Sequence, residues 1–200
     1  MAYGGPNSLE DVEPYLLDVR GGRPTAPELV AEVRQRYAQI GGRSPLLELT
    51  QAQASALQSV LGERYRVYVG MRHWHPYIRE TIAQAAQDGI EQLVAIAMAP
   101  HYSTMSVGAY MQQLEQARDT LSPGLRLSPV LSWKTHPLFL AALAEKTRAA
   151  LERFPEPDRK TVEVIFSAHS LPARILKEND PYPQELLDTV ASVLTHTGPL

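Results

Sequence analysis

Apolar residues alternate along the chain between helical spacing and short continuous runs. Four segments with apolar residues three and four positions apart predict amphipathic helices: 27–40, 76–89, 107–121 and 137–154. Four short apolar runs predict strands: 65–70, 92–98, 125–131 and 161–166. Strands that alternate with helices are typical of an α/β fold with a parallel, doubly wound sheet. The pattern therefore predicts an α/β protein.

Residues that favour helix ends predict where other helices begin and end. Ser8 is placed as the N-cap of a helix over 8–19, with Asp11 at the third helical position. Thr50 and Gln53 have the spacing of a capping pair that would open a helix over 50–61. Gly89 is suited to the C-terminal end of the helix predicted over 76–89. A last helix is predicted over the sequence PQELLDTVASVL.

The strands differ in their expected surroundings. The run 92–98 is continuously apolar, as expected of a strand covered on both faces. Pro129 removes a ladder hydrogen bond from the run 125–131, which predicts an edge strand or a bulge.

The order of these elements predicts two doubly wound, Rossmann-like α/β domains, at 1–125 and 126–200. The chain opens on MAYGGP, which resembles the end of a strand and the turn after it, and it closes on THTGPL with no sheet element behind it. We therefore expect both domains to be incomplete, with the first strand missing from one and the second truncated.

Composition narrows the class of protein. Hydrophobic residues make up 44% and charged residues 20% of the 200 residues, which is typical of a soluble globular chain. The net charge of −3 gives no basic surface for nucleic acid. The absence of cysteine excludes disulfides, iron–sulfur clusters and thiolate zinc sites. No signal peptide and no apolar run long enough for an integral membrane segment is present, so we expect a cytoplasmic protein.

The loops after the predicted strands hold the candidate chemistry, because ligands of open parallel sheets bind beyond the carboxyl ends of the strands. His169 follows the apolar run 161–166 and stands between Ser167 and Ser170. A histidine there suits a general base or a metal ligand, and the alternative is a buried histidine bonded to backbone. A serine nucleophile competes with both, but G-x-S-x-G is absent.

The other histidines give weaker indications of a functional role. His73 and His75 would share a face of a strand and could bind metal, but Pro76 favours a structural loop that opens a helix. The role of His101 stays open, and His136 precedes a proline at a helix start, which predicts a capping group.

Arginines accompany the glycine-rich turns RGGR and GGRS. They are either solvated surface groups or bidentate partners of ligand carboxylates. No G-x-G-x-x-G or Walker A pattern indicates a nucleotide.

Seven motifs along the chain together resemble the ferrochelatases, which insert ferrous iron into a porphyrin: AYGGP, RYAQIGGRSPL, VYVGMRHWHPYI, APHYS, SVGAY, SAHSLP and NDPYP. The short RGGRPTAP segment is similar to that of the Gram-positive-type enzymes, which act on coproporphyrin III rather than protoporphyrin IX. The resemblance covers nearly all 200 residues and corresponds to the N-terminal two-thirds of a family member.

The resemblance implies roles for individual residues. His169 would be the ligand of iron and the proton acceptor, and Tyr3 would lie beside the porphyrin centre. Five more residues would line the porphyrin and its propionates: Arg20, Arg36, Tyr37, Ser44 and Tyr110. Some relatives carry a second arginine where this chain has Gly21, which removes one expected propionate contact. A glutamate that faces the histidine in the family is expected in the part beyond the motifs.

The resemblance also sets the expected partners. These are a porphyrin and ferrous iron, with no cofactor beyond that substrate iron, an accessory divalent metal left open, and a monomeric protein. Two alternatives remain: a chelatase for another metal and tetrapyrrole, and a truncated porphyrin-binding fragment without turnover.

Overall fold

The computed structural model describes the backbone of residues 1–197 and the side chains of residues 1–195, which form a mixed helical and parallel-sheet structure. The predicted α/β class is confirmed. The elements, in chain order, are α1 (Val12–Val19), α2 (Pro27–Gln39), α3 (Leu46–Leu61), α4 (Ile78–Gln87), β1 (Gln92–Ile96), α5 (Val107–Leu121), β2 (Arg126–Val130), α6 (Pro137–Leu151), α7 (Arg174–Lys177) and α8 (Tyr182–Thr197). Short 3₁₀ turns occur at Gly62–Arg64 and Arg159–Thr161.

The chain divides into two compact units. The first unit contains residues 1–98 and 110–129, and the second contains 99–109 and the chain from 130 onward. The domain boundary expected between 125 and 126 stays a prediction.

The first unit contains the parallel sheet of β1 and β2, joined through α5. The N–H of Arg126 donates to the carbonyl of Glu91 at 2.9 Å and sets the register where the strands begin. Pro129 lies in β2, which is an edge strand as predicted, because a two-stranded sheet has only edges. The largest buried apolar side chains of this unit include Val12, Met71, Ile82 and Leu125.

The prediction that β1 is covered on both faces is wrong for the described residues. Ala95 is buried, but Val94 is 57% and Ile96 39% exposed. The apolar run therefore has one covered face and one open face.

The predicted strand over 65–70 is wrong, because side-chain hydrogen bonds replace a ladder there. The Gln58 amide donates to the carbonyl of Tyr65 at 2.8 Å and accepts from the N–H of Val67 at 2.8 Å. Sheet-like pairing begins only at the end of the segment, where Met71 forms an isolated parallel bridge with Ala2. The backbone of Met1 also bonds to Ile96 and Met98, so the extended start of the chain lies between residues 70–73 and the end of β1.

The ends of several helices lie where neighbouring residues predict them, whereas two of the predicted strands do not form. Pro27 opens α2, and Gly89 follows α4 with φ of +73°, as predicted. The predicted N-cap Ser8 is wrong, because Asp11 is the N-cap of α1 and the helix starts three residues later than Ser8 would place it. Ser8 instead accepts a hydrogen bond from the N–H of Asp11 in the turn before the helix. The Thr50 capping pair is wrong, because α3 begins at Leu46 and the Thr50 hydroxyl donates inside the helix to the Leu46 carbonyl at 2.7 Å.

The second unit is formed around the packing of α6 on α8. Leu140 and Ala144 of α6 are buried against Val193 of α8, with Leu143 partly covered beside them. Burying a side chain such as Leu140 contributes about 2 kcal/mol.

The predicted strand over 161–166 is wrong in this unit. No ladder partner is present among residues 1–197, and Ile165 is 88% exposed. A strand is defined by its ladder, so an apolar run without a partner remains an unpaired segment.

Candidate functional site

His169 lies in the unpaired segment after the apolar run 161–166, in the second unit. Its side chain is exposed, and within residues 1–197 its imidazole makes no hydrogen bond, including none to Ser167 or Ser170. Its backbone carbonyl accepts a hydrogen bond from the Tyr182 hydroxyl at 3.0 Å. Both ring nitrogens are therefore accessible to a ligand or a proton. The alternative of a buried structural histidine is wrong for this position.

Tyr3 follows the bridge at Ala2 in the first unit and remains 42% exposed. Its ring lies against the His73 ring, with centroids 4.6 Å apart and the planes at 53°. The carbonyl of Tyr3 also accepts from the N–H of His73 at 2.9 Å. The backbone and the ring are thus both held, while one side of the phenol is accessible to solvent.

Tyr110 is buried in α5 and is 5% exposed. The Arg72 guanidinium lies over its ring at 5.6 Å, which is within the range of a cation–π contact. Burial raises the pKa of Tyr110 to about 12, and the nearby Arg72 charge opposes that rise. The phenol is therefore neutral at physiological pH.

Tyr37 and Ser44 lie together beside the N-terminal glycine turn. A Cβ atom at Gly5 would come within 2.6 Å of the Ser44 side chain and 3.7 Å of the Tyr37 hydroxyl, so the close approach requires glycine. The N–H of Ser44 donates to the carbonyl of Pro6 at 2.8 Å. Burial also raises the pKa of Tyr37, which keeps its hydroxyl protonated.

The two predicted arginines are exposed at helix ends. Arg20 follows α1, and within the part of the chain that the structure describes its guanidinium has no hydrogen bond or ion pair. Arg36 in the last turn of α2 pairs with Glu32 one turn earlier. Both cations therefore face solvent, and no hydrogen bond or ion pair among residues 1–197 connects either to Tyr3.

The structure also contains a buried group that the sequence reasoning missed. His73 is 8% exposed, and its Nδ1 lies 2.7 Å from Asp18 Oδ1. The Tyr77 hydroxyl donates to Asp18 Oδ2 at 3.3 Å. Burial raises the pKa of Tyr77 to about 12, so the hydroxyl remains a donor. The H-W-H motif was the signal in the sequence for this buried group. The interpretation of its histidines as structural agrees with the contact between His73 and Asp18.

A cavity of about 490 Å³ lies next to this group in the first unit. Asp18, Arg72 and Tyr77 line it, together with Glu80 and Gln113. Its lining is mainly polar and includes none of the seven residues implied by the resemblance.

The remaining predicted histidines have structural partners. His75 Nδ1 lies 2.8 Å from Glu80 Oε1 at the start of α4. His101 Nε2 lies 2.8 Å from the Thr189 hydroxyl. His136 is the N-cap of α6, where its Nδ1 accepts from the N–H of Leu138 at 3.3 Å, so the capping prediction is confirmed.

Two kinds of feature are absent from the part of the chain that the structure describes. The described side chains of residues 1–195 contain no group of three or more His, Asp or Glu placed to hold a metal ion. None of the helices in that range has the length and apolarity to cross a membrane.

Comparisons with known proteins agree on one family. The model of the ferrochelatase family matches residues 1–199. A ferrochelatase of Herpetosiphon aurantiacus is 41% identical over 96% of this chain, and one of Deinococcus radiodurans is 41% identical over 99%. A coproporphyrin III ferrochelatase of Listeria monocytogenes is 39% identical over 94%. The chain spans 65%, 64% and 62%, respectively, of these relatives' lengths.

Proposed function

The chain belongs to the ferrochelatase family, and from that membership we propose that the intact protein inserts ferrous iron into a porphyrin. The observation that carries the proposal is the family match over residues 1–199. The site chemistry described above supports it at the level of single residues.

The aromatic residues of the first unit fit one face of a macrocycle. Porphyrins are broad and apolar, and they stack well on phenol rings. Tyr3 is exposed on one side and held by His73 on the other, which suits a fixed stacking surface. We assign Tyr3, Tyr37 and Ser44 to this lining, with Tyr110, which is 5% exposed, as a buried supporting residue.

The two exposed arginines fit the carboxylates of the porphyrin edge. Arg20 can engage a propionate without releasing a partner in the described chain, since its guanidinium has none there. Arg36 must exchange Glu32 for the ligand, and an exposed ion pair of this kind contributes little, about 0.5 kcal/mol. We assign both arginines to propionate binding.

We assign metal delivery and proton transfer to His169. Insertion requires that iron binds the four pyrrole nitrogens while two N–H protons leave. The charge balances because one ferrous ion replaces two protons. A neutral imidazole can ligate the incoming ion or accept one of these protons. The accessible, unbonded ring of His169 suits either role. No resident cofactor is required by this chemistry.

Coproporphyrin III is the substrate that we favour over protoporphyrin IX. The short RGGRPTAP loop supports this choice, and so do relatives such as that of Listeria monocytogenes, which is named for coproporphyrin III. Coproporphyrin has four propionates where protoporphyrin has two, so binding through arginines favours it. The ratio of kcat/KM for the two porphyrins measures this preference.

The test replaces His169 in the intact protein. His169→Ala is expected to reduce anaerobic insertion of ferrous iron into coproporphyrin III about 100-fold or more, which is the usual effect of losing a general base. The porphyrin Kd, measured by porphyrin fluorescence, should not change. His136→Asn is the matched control, because asparagine preserves the N-cap of α6 and the residue lies outside the proposed site.

Two outcomes would contradict the proposal. Full insertion by His169→Ala would remove the histidine from the reaction. Porphyrin binding without insertion by the wild-type intact protein would favour the non-catalytic porphyrin-binding alternative.

A further inference from the structure

We propose that Tyr182 is a positioning residue for His169, because its hydroxyl fixes the peptide that carries the imidazole. This inference rests on the function proposed above, in which His169 handles the metal and the proton. Every contact that supports it lies within the second unit.

The segment around His169 has very few other restraints. Within the described residues, the bond from the Tyr182 hydroxyl to the His169 carbonyl is the one hydrogen bond that reaches residues 163–171. Its length of 3.0 Å is normal for a well-formed hydrogen bond. The bond fixes the peptide plane that carries the His169 carbonyl. Of the torsions between that plane and the ring, ψ, χ1 and χ2 remain, so the bond narrows the positions that the imidazole can reach.

Tyr182 is itself held at the start of α8. Its N–H donates to Asp180 Oδ1 at 3.0 Å, and its ring meets the His101 ring edge-on with centroids 6.2 Å apart. A tyrosine fixed at its backbone and its ring holds its hydroxyl at a defined position.

Asp180 connects this position to the loop after β1. It is 8% exposed, and its Oδ2 accepts from the Ser103 hydroxyl at 2.9 Å, the Thr104 N–H at 2.8 Å and the Thr104 hydroxyl at 2.7 Å. Burial alone would raise the pKa of Asp180, but these bonds and the one from Tyr182 outweigh it and lower the pKa. The carboxylate stays ionised and serves as a fixed acceptor for both segments.

Glu185 supplies a second attachment one turn along α8. It is 7% exposed, and its Oε2 accepts from the N–H of Tyr102 at 2.6 Å and from the Ser132 hydroxyl at 2.9 Å. Its Oε1 lies 3.5 Å from Lys134 Nζ. The first turns of α8 are thus anchored to residues 102–104 and 132–134, and Tyr182 extends this anchored structure to His169.

Positioning matters for this chemistry because the ligand must meet the ion at a defined distance and direction. A misplacement of about 1 Å can reduce a rate about 100-fold. The imidazole ring has no hydrogen bond of its own within residues 1–197, so the orientation of its peptide is the available restraint. Tyr182 therefore controls the reaction through His169 without touching the substrate.

The test compares Tyr182→Phe with the wild type in the intact protein. Phenylalanine preserves the ring contact with His101 and removes only the hydroxyl. We expect kcat for insertion of ferrous iron into coproporphyrin III to fall about tenfold, while the porphyrin Kd changes by less than about twofold. Tyr65→Phe is the matched control, because Tyr65 is 50% exposed and its hydroxyl has no hydrogen bond in the described chain.

Each result has a distinct meaning. A lower kcat with unchanged porphyrin Kd and unchanged thermal midpoint supports the proposal. Wild-type kcat in Tyr182→Phe overturns it. A parallel loss of kcat, porphyrin binding and thermal midpoint also overturns it, because Tyr182 would then hold the fold rather than His169.

The His169→Ala variant distinguishes failure of the positioning role of Tyr182 from failure of the proposed function. If His169→Ala inserts iron normally, the role of the histidine is wrong and the inference falls with it. If His169→Ala is inactive and Tyr182→Phe is fully active, only the positioning role is wrong.

Discussion

The ionisation of His73 is set by opposing effects at its buried ring. Burial lowers the pKa, the hydrogen bond to Asp18 raises it, and the nearby charge of Arg72 lowers it further. The net shift is downward, so the folded protein favours the neutral ring with a proton on Nδ1, facing the Asp18 carboxylate.

This shift predicts how stability changes with pH. A histidine whose pKa is lower in the folded than in the unfolded chain contributes stability above about pH 6.5, and this is lost as the pH falls through the folded pKa. We expect the free energy of unfolding of the intact protein to decrease below about pH 6.5. His101, whose pKa is also lowered by burial, should act in the same direction.

The measurement is urea unfolding at a series of pH values. His73→Asn preserves a neutral donor for Asp18 but cannot titrate, so the acid-side slope should decrease by at most about 1.4 kcal/mol per pH unit. His75→Asn is the control, since His75 is exposed. An identical slope in His73→Asn and the wild type would contradict the buried-histidine explanation.

At the scale of elements, Gln58 decides the conformation of the chain after α3. Its amide donates to the carbonyls of Gly62 and Tyr65 and accepts from the N–H of Val67. One side chain therefore satisfies three backbone groups, and two of them, the Tyr65 carbonyl and the Val67 N–H, are groups that a strand over 65–70 would pair in a ladder.

Removing this amide should destabilise the segment. Gln58→Ala is expected to reduce the free energy of unfolding of the intact protein by about 1–3 kcal/mol, because backbone groups lose their partners. Hydrogen exchange at the Val67 amide should accelerate. Gln53→Ala is the matched control on the exposed surface of the same helix. Equal exchange at Val67 in both variants would show that the amide does not hold this segment.

Helices were predictable from the sequence because their ends depend on neighbouring residues. Pro27 and the apolar spacing after it place the start of α2, and the spacing over 107–121 matches α5 at both ends. A strand depends on partners far along the chain, so the apolar run 161–166 carried no information on whether a ladder would form. Thr50 failed as a cap because Leu46 already continues the helix towards the N-terminus.

The candidate site shows the same difference between features set by neighbouring residues and contacts between distant ones. Short motifs predict Tyr3 and His169 as site residues, and this stays a prediction, whereas the contact between His73 and Asp18 joins residues 55 positions apart. The bond from Tyr182 to His169 spans 13 positions and involves a backbone carbonyl, which leaves no mark in the residue types. Sequence patterns therefore predict candidate chemical groups but not the contacts that orient them.

At the scale of the whole molecule, large apolar side chains remain exposed in both units. Val94 of β1 is 57% exposed, and Ile165 in the unpaired segment is 88% exposed. Exposed apolar surface next to unpaired backbone favours association with other chains.

We therefore expect the isolated 200-residue chain to associate in a concentration-dependent manner and to bind a hydrophobic dye. Val94→Lys with Ile165→Lys should reduce both, because each lysine places a charge on the exposed apolar surface. Light scattering and dye fluorescence measure the two effects, and Gln51→Lys with Gln184→Lys controls for the same added positive charge at exposed polar positions. If the unmodified chain is monodisperse at high concentration and binds no dye, these side chains do not form an associating surface. If the control pair reduces association equally, net charge rather than apolar exposure governs the behaviour of the chain.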